Sequence, residues 1–401
     1  MRLKYYNDPI YGFISIPTPL ISALIQEPVV QRLRRIHQMG LSHYVYTGST
    51  HSRFEHALGA MHLMSKALDC LKRKGTLISK TESEAALIAI LLHDLGHGPF
   101  SHALEGVFSE GFSHEELSLQ LMEHLNHQYD GQLAVAIEMF KGVYHRPFFN
   151  QLIASQLDMD RLDYLKRDSF YSGVTEGNIN TDRIIAMLCV HQDKLMVEEK
   201  GIYSIEKFLL ARRLMYWSVY LHKTSFAAEE VLKNIFKRVK FLLQDGFEVS
   251  LSPALRYFLE GAHRHDEQQQ TLHHFSDLDD TDVFALIKSG VYHSDPVLSS
   301  LCISILHRKF PRIRVATKPP KPKKIQEKKS LFLQSKTHKV ECVDYFVFHG
   351  TMENRAYNQQ QFPIEILDKK GRVHELSKLT DQSNLQALTK PVTKYYLCYP
   401  K

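Results

Sequence analysis

Helical periodicity dominates this chain of 401 residues and limits its fold more than any other feature. From Arg53 to about Leu306, apolar residues recur at the spacing of a buried helix face. The pattern predicts helices over 53–72, 84–95, 114–127, 155–169, 205–224 and 227–243, and another over 27–39. Strand-like runs are few here; 194–198 and 201–203 are expected to pair as a hairpin. The sequence therefore predicts a mainly α fold with a helical body over 1–315.

The composition changes near residue 316. The run 316–329 combines three prolines with six lysines, which predicts an exposed linker or loop over 316–330. Beyond it, alternating apolar runs at 340–350, 362–376 and 392–399 predict three strands, with a hairpin-type turn at 368–371. We therefore expect a small α+β region over 331–401.

Composition and charge exclude several classes of protein. Apolar residues make up 44% of the chain and charged residues 23%, as in soluble globular proteins. The formal charge of +6 suits polyanionic ligands but is too small to indicate nucleic acid, and the lysine run is typical of a solvated loop. Five scattered cysteines without a CxxC pair predict reduced thiols. With neither a signal-peptide pattern nor an apolar run of membrane-spanning length, we expect a cytoplasmic protein.

Histidine is abundant, with 23 residues, so a lone histidine is a poor candidate for a site. His93-Asp94 is more informative, because the pair follows a continuously apolar helix and precedes a run of helix-stopping residues, 96–99. Burying an imidazole and a carboxylate without partners costs several kcal/mol. A metal ion would satisfy both groups, and a salt bridge from a nearby arginine is an equally good alternative.

Arg53 and His56 stand out on the predicted helix 53–72. On a helical wheel they lie in or beside the apolar arc, apart from the solvated residues Glu55, His62, Lys66 and Asp69. This placement predicts internal partners, such as a metal for His56 and an anion for Arg53. The alternative is that buried carboxylates satisfy both side chains.

Asp160, Tyr164 and Asp168 share one face of the predicted helix 155–169 through i, i+4, i+8 spacing. This face offers groups for a metal, a phosphate and a sugar hydroxyl. Taken alone, the segment is more typical of a charged helix surface with internal ion pairs.

Together these segments supply two imidazoles and two carboxylates, from His56, His93, Asp94 and Asp160. Such a mixed nitrogen and oxygen set suits one divalent transition metal with open coordination positions, namely Mn, Fe, Co, Ni or Zn. It matches calcium poorly, because calcium prefers oxygen ligands alone.

The order His56, His93-Asp94, Asp160 resembles the H…HD…D signature of the HD-domain phosphohydrolases. Four longer runs are similar to one branch of that superfamily, the deoxynucleoside triphosphate triphosphohydrolases; they are Gln31–Gly40, Thr50–Gly59, Leu92–His102 and Asp158–Tyr164. The resemblance covers roughly residues 5–315. It implies that 1–315 form an HD-type helical phosphohydrolase domain and that the four residues above bind the metal.

The resemblance also implies roles for other residues. The implied catalytic residues are His102, His114 and Glu115, with Ser113 as the N-cap of their helix. Arg53 and His97 are implied to hold phosphate oxygens. Arg161 stands where close relatives usually have lysine, and its forked guanidinium predicts a different phosphate geometry.

For the nucleoside, the resemblance implies contacts from Gln38, Tyr164 and Asp168. Gln38 and Asp168 are the candidates for the 3′-hydroxyl, and packing of Tyr164 near C2′ would exclude ribose. Arg212, Tyr216 and Tyr220 form one stripe on the predicted helix 205–224, where the family has an arginine and aromatic residues around the phosphates and base. The alternative for this stripe is an ordinary amphipathic face.

The implied reaction is hydrolysis of a deoxynucleoside triphosphate at the α-phosphorus, which gives deoxynucleoside and inorganic triphosphate, with magnesium as a further ion accompanying the nucleotide. The alternatives are another HD-type nucleotide phosphatase or phosphodiesterase, and a non-catalytic nucleotide-sensing protein. A homo-oligomer is expected, with neither membrane nor nucleic acid as a partner. A nucleotide effector is a further expectation, for which a basic cluster is one candidate contact; its residues are Arg308, Lys309, Arg312 and Arg314.

Overall fold

The computed structural model of the chain describes residues 4–100, 104, 113–261, 268–334, 340–354, 357, 363–379 and 390–401. Its α-helices are α1 Pro19–Gln26, α2 Pro28–Arg32, α3 Arg53–Arg73, α4 Lys80–Leu92, α5 His114–Gln128, α6 Ala134–Lys141, α7 Phe148–Ile153, α8 Met159–Ser172, α9 Thr181–Met187, α10 Ile202–Met215, α11 Lys223–Gln244, α12 Pro253–Leu259, α13 Gln268–Asp277, α14 Asp280–Gly290, α15 Pro296–Leu306, α16 Pro322–Gln334 and α17 Leu376–Leu379. Its strands are β1 Lys4–Asp8, β2 Gly12–Ile16, β3 Leu188–His191, β4 Lys194–Glu198, β5 Arg312–Ala316, β6 Phe348–Asn354, β7 Glu365–Leu367, β8 Val373–Glu375 and β9 Val392–Tyr399. The predicted mainly α fold is confirmed.

Helix α3 packs against both α4 and α8, and these three helices form the centre of the body. Capping boxes start α3 and α4, because Ser52 and Ser79 each exchange hydrogen bonds with the glutamate three residues later. Residues 85–92 of α4 are buried without exception, as their apolar run predicts. Within the described residues, no helix is both long enough and apolar enough to cross a membrane.

The described strands form three small sheets. β1 and β2 make an antiparallel hairpin, the order β3-β4-β7-β8 makes a second sheet, and the order β5-β9-β6 makes a third. β7 pairs in parallel with β4, so the tail contributes to a sheet that begins in the helical body. The predicted tail turn is confirmed, since residues 368–371 connect the antiparallel strands β7 and β8.

Several predicted elements are wrong in their bounds or partners. The strand at 194–198 pairs with 188–191, while 201–203 belong to the turn and first residues of α10. The helix predicted over 27–39 ends early, because the chain becomes extended near Ile36 and pairs with the segment before α3. Within 316–330 the predicted linker becomes helical at Pro322, where α16 begins and packs its few apolar side chains on the third sheet.

The helix predicted over 205–224 is interrupted. α10 ends at Met215, a π-helical turn spans Tyr216–Tyr220, and α11 begins at Lys223. The hydroxyl of Tyr46 donates to the carbonyl oxygen of Ser218 within this turn. π-helical turns are rare and frequently occur at functional sites, so this break is relevant to the tyrosines that the turn contains.

Candidate metal centre and active site

His56 lies at the centre of the site, on the first turn of α3, and is completely buried. Its Nδ1 is 2.8 Å from Oδ2 of Asp163, and its Nε2 is 3.1 Å from Oδ1 of Asp160. Because the Asp163 carboxylate is a hydrogen-bond acceptor, it holds a hydrogen on Nδ1 and leaves Nε2 directed at Asp160. The imidazole is therefore oriented as a metal ligand through Nε2.

His93 ends α4, and its orientation is fixed in the same way. Its Nδ1 is 2.6 Å from the carbonyl oxygen of Ile90, which leaves Nε2 facing Asp160 at 3.6 Å. Ser118 of α5 accepts from the backbone N–H of Gly96 at 2.8 Å and donates to the carbonyl of His93 at 2.7 Å. A β-carbon on Gly96 would lie 2.0 Å from the carbonyl oxygen of His114, so only glycine lets α5 approach this loop.

Asp94 joins the cluster from the residue after His93. One of its oxygens is 3.3 Å from Nε2 of His93, and the other is 3.8 Å from Nε2 of His56. The second oxygen also accepts from Arg53 at 2.6 Å. The arginine salt bridge expected as one alternative for the His93-Asp94 pair is therefore present, and the same carboxylate also faces the two histidines of the cluster.

Asp160 completes the cluster from the first turn of α8. The helix begins here because the buried carboxylate of Asp158 accepts from the backbone N–H groups of Ser155 and Arg161, each at 2.7 Å. This cap explains why α8 begins at Met159 and not near 155, as predicted. Atoms of His56, His93 and Asp160 that can bind a metal lie within 4.8 Å of one another.

The electrostatics of the cluster favour anionic carboxylates. Burial alone would lower the pKa of His56, but the neighbouring carboxylates of Asp160 and Asp163 outweigh it and raise that pKa to about 10. Burial would raise the pKa of Asp160, yet His56 and His93 hold it far below its usual range. For Asp94, His93 and Arg53 likewise outweigh burial and lower the pKa.

This cluster has the donor set of a divalent-metal site. The Nε2 atoms of His56 and His93 are buried, and among the described residues neither has a hydrogen-bond partner. A buried polar atom without a partner is costly, and a cation bound by Nε2 removes that cost. Two imidazole nitrogens with carboxylate oxygens are the ligands that borderline divalent metals accept.

The structure describes His97, implied to bind phosphate, and two of the three implied catalytic residues, His114 and Glu115. His97 is buried, and its Nε2 is 3.3 Å from Oδ1 of Asp94. Its ring stacks on that of His114, with ring centroids 4.2 Å apart. Burial and the charge of Arg53 lower the pKa of His97 well below its usual value. Ser113 caps α5 as predicted, and Glu115 on that helix is exposed. His102 lies outside the described residues.

The two residues implied to contact the 3′-hydroxyl, Gln38 and Asp168, are both hydrogen-bonded to His51. Asp168 is buried and bonded on both oxygens, to Nε2 of His51 at 2.7 Å and to the hydroxyl of Tyr220 at 2.7 Å. The backbone N–H of Gln38 donates to the carbonyl of the same His51 at 3.0 Å.

The remaining predicted residues lie along α8, α10 and the π-helical turn. Arg161 donates to the carboxylate of Asp158. The ring of Tyr164 makes edge contacts with His56 and Tyr220, with ring centroids 6.5 and 6.3 Å apart. Tyr216 and Tyr220 make a further edge contact, with ring centroids 5.0 Å apart. Arg212 is buried and donates to Gln156 at 3.1 Å. The stripe of Arg212, Tyr216 and Tyr220 stays a prediction, and the helix on which it was predicted is interrupted by the π-helical turn over Tyr216–Tyr220.

Sequence reasoning missed two residues that support the site, Asp163 and His51. Asp163 holds His56 and also pairs with Arg167 at 2.9 Å, which in turn binds Asp8 at 2.7 Å. The i, i+4 spacing of Asp163 and Arg167 was a readable signal for an ion pair. His51 stands two residues before Arg53, and its partner Asp168 is 117 residues away, so no local pattern connects them.

Comparison with known proteins gives matches over the whole chain. The HD domain matches residues 53–168, and the HD associated region matches residues 179–245. A solved phosphohydrolase from Bacteroides thetaiotaomicron is 46% identical, with a TM-score of 0.95 and coverage of 100% of both chains. The uncharacterized protein YwfO of Bacillus subtilis is 29% identical over 99% of this chain and 92% of its own length. The SAMHD1 homolog of Dictyostelium discoideum is 32% identical over 58% of this chain. The matched part is only 49% of the length of that relative.

Proposed function

Because the chain belongs to the HD-domain phosphohydrolases, we propose that it hydrolyses deoxynucleoside triphosphates to deoxynucleoside and inorganic triphosphate. The observation that carries this proposal is the face of α8 that contains Asp160, Tyr164 and Asp168. Its first residue lies beside His56 and His93, and its last belongs to a buried hydrogen-bonded pair with His51. The Dictyostelium relative is named as a deoxynucleoside triphosphate triphosphohydrolase homolog, which supports the same substrate class.

The proposed ligands of the metal are His56, His93, Asp94 and Asp160. A bound divalent transition metal, one of Mn, Fe, Co, Ni or Zn, supplies positive charge that neutralises the reacting phosphate. Magnesium is expected to accompany the nucleotide as its counterion.

Positive charge from the protein itself is proposed to hold the triphosphate. Arg53 and Arg161 are each bonded to a carboxylate, yet the Nε atoms of both are buried and lack a partner among the described residues. These N–H groups suit phosphate oxygens, since arginine binds phosphate through charge-assisted hydrogen bonds. His97, with its lowered pKa, contributes a hydrogen bond and no full charge.

In the proposed reaction, water attacks the α-phosphorus and the bond to the 5′ oxygen breaks. The new triphosphate keeps the oxygen of the water, and the 5′ oxygen of the nucleoside takes a proton. His102, His114 and Glu115 are proposed to move these protons, and the stack of His114 on His97 supports such a role for His114. Most of the rate is expected from positioning and charge neutralisation.

The nucleoside is proposed to lie against Tyr164, Tyr216 and Tyr220. The ring of Tyr220 makes edge contacts with the rings of both Tyr164 and Tyr216, so the three side chains form one aromatic surface beside the metal cluster. Tyr164 lies nearest to His56 and is therefore the candidate for close packing against C2′.

The test is product identification with the purified full chain. Each dNTP, NTP and NMP is incubated with protein loaded with Mn, Fe, Co, Ni or Zn, with Mg present, and mixed nucleotides are included to detect activation. Inorganic triphosphate with the matching deoxynucleoside is the expected result. Orthophosphate alone would indicate a phosphatase of another kind, and no product with retained nucleotide binding would indicate a sensor.

A further inference from the structure

His51 is a buried histidine at the sugar end of the proposed site that the proposed mechanism does not use. Its side chain is 0% exposed, and its Nε2 lies 2.7 Å from Oδ1 of Asp168. Because the carboxylate accepts, this contact places a hydrogen on Nε2. The other carboxylate oxygen accepts from Tyr220, so two donors from distant segments hold Asp168 in one orientation.

The same residue is bonded to Gln38 through the backbone. The N–H of Gln38 donates to the carbonyl of His51, which therefore connects both candidates for the 3′-hydroxyl. Oε1 of Gln38 and Nδ1 of His51 are buried, and within the described part of the chain neither has a hydrogen-bond partner. Buried acceptors need a donor, and a sugar hydroxyl supplies one whereas an ionised phosphate does not.

The ring of His51 is also held by packing. It stacks on Tyr171 with ring centroids 4.4 Å apart and an interplanar angle of 16°. The hydroxyl of Tyr171 donates to Glu55 at 2.9 Å, away from Asp168. Packing and hydrogen bonding of His51 can therefore be separated by substitution.

We propose that His51 is a positioning residue that holds Gln38 and Asp168 as one unit for recognition of the 3′-hydroxyl of a deoxynucleotide. This inference rests on the proposed function for its substrate class. The side chain of His51 acts through Asp168, while its backbone carbonyl keeps the bond to Gln38 in every variant, so substitution of His51 alters nucleotide binding more than the chemical step. The discriminating ligand pair is a dNTP and its 2′,3′-dideoxy counterpart.

The experiment compares the wild type with His51→Phe and His51→Gln. Equilibrium binding of the dNTP and the dideoxy analogue is measured, together with kcat and KM for the dNTP. Phenylalanine keeps the stack on Tyr171 but removes the donor, so the preference for the dNTP is expected to fall about tenfold and KM to rise, with kcat nearly unchanged. Glutamine retains an N–H donor and is expected to restore much of the preference.

Tyr171→Phe is the matched control, because it keeps the stacked ring and is expected to bind both nucleotides as the wild type does. Thermal unfolding of every variant checks that the fold is retained. The inference would be overturned by a wild type that binds the dNTP and its dideoxy counterpart equally well. It would also be overturned by a His51→Phe variant that keeps the preference or that binds both nucleotides more weakly by the same factor. If the wild type releases no triphosphate while His51→Phe loses the binding preference, the proposed reaction fails and the role of His51 stands.

Discussion

The two nitrogens of the His56 ring face two different carboxylates, Asp163 at Nδ1 and Asp160 at Nε2. The hydrogen bonding is more complete on the Asp163 side than on the Asp160 side. On the Nδ1 side, Asp163 is fully buried, and its oxygens also accept from Arg167 at 2.9 and 3.0 Å. On the Nε2 side, Asp160 is 26% exposed by side chain and faces two imidazole nitrogens that lack hydrogen-bond partners among the described residues. Both carboxylates lie on α8, one turn apart. The Asp163 side supports the ring, and the Asp160 side is where we propose that the metal binds.

The largest effect is expected on the Asp160 side. Asp160→Asn removes a metal-ligating charge, and metal affinity should fall by about a thousandfold or more, beyond the 10- to 100-fold range typical of residues that only support ligands. Metal analysis after dialysis and a hydrolysis assay measure this loss. Asp182→Asn, at an exposed carboxylate, is the control and should keep its metal. Full metal occupancy in Asp160→Asn would contradict the comparison.

The Asp163 side should control the stability of the fold. Arg167→Met leaves Asp163 and Asp8 without their buried cation, so the free energy of unfolding should drop by about 3–5 kcal/mol. Urea unfolding of metal-free protein measures it. Lys66→Met breaks an ion pair whose side chains are 43% and 64% exposed, and it should cost less than about 1 kcal/mol. Equal losses in the two variants would remove the distinction between the sides.

A smaller effect on metal binding is expected from Asp163→Asn. The ligands remain, but His56 loses the carboxylate that orients its ring, so metal affinity should fall by about 10- to 100-fold. Competition with a chelator measures the change. A loss as large as that of Asp160→Asn would mean that Asp163 is itself a ligand.

The pH dependence of metal affinity should sharpen the comparison further. The raised pKa of His56, about 10, means that its imidazole is protonated at neutral pH in the metal-free protein. A metal must displace that proton, so affinity should rise about tenfold per pH unit between about pH 6 and 8 for each proton released. Calorimetry in buffers of different ionisation enthalpy counts the protons. Affinity that does not change with pH would contradict the assigned protonation of His56.

Much of the fold follows from short sequence patterns. The start of α3 at Arg53 follows from Ser52 and Glu55, and the tail hairpin follows from the turn at 368–371. Wrong predictions occurred where distant contacts outweighed local pattern. The chain after Arg32 leaves the helical path to pair with the segment before α3, and the helix after Met215 widens into a π-helical turn.

In the candidate site, too, some residues could be named from the sequence and others could not. His56, His93 and Asp94 were named from the sequence because they lie beside an apolar helix face or at the end of a buried helix, and Asp160 was named from the helix face that it shares with Tyr164 and Asp168. The structure brings these four side chains together, and their roles as ligands, like the roles of the other predicted residues, stay predictions. Asp163 and His51 were missed because each acts through a partner that local spacing does not reveal.

The sequence by itself determined the helical body and the caps that start its helices, since these depend on residues within one or two turns of each other, and it supplied the residue types of the metal-ligand set. Only the tertiary structure decided which nitrogen of His56 faces the cluster, which arginine meets Asp94, and which histidine holds Asp168. Those outcomes depend on hydrogen bonds between segments separated by tens to more than a hundred residues, and such bonds form only when packing brings the segments together.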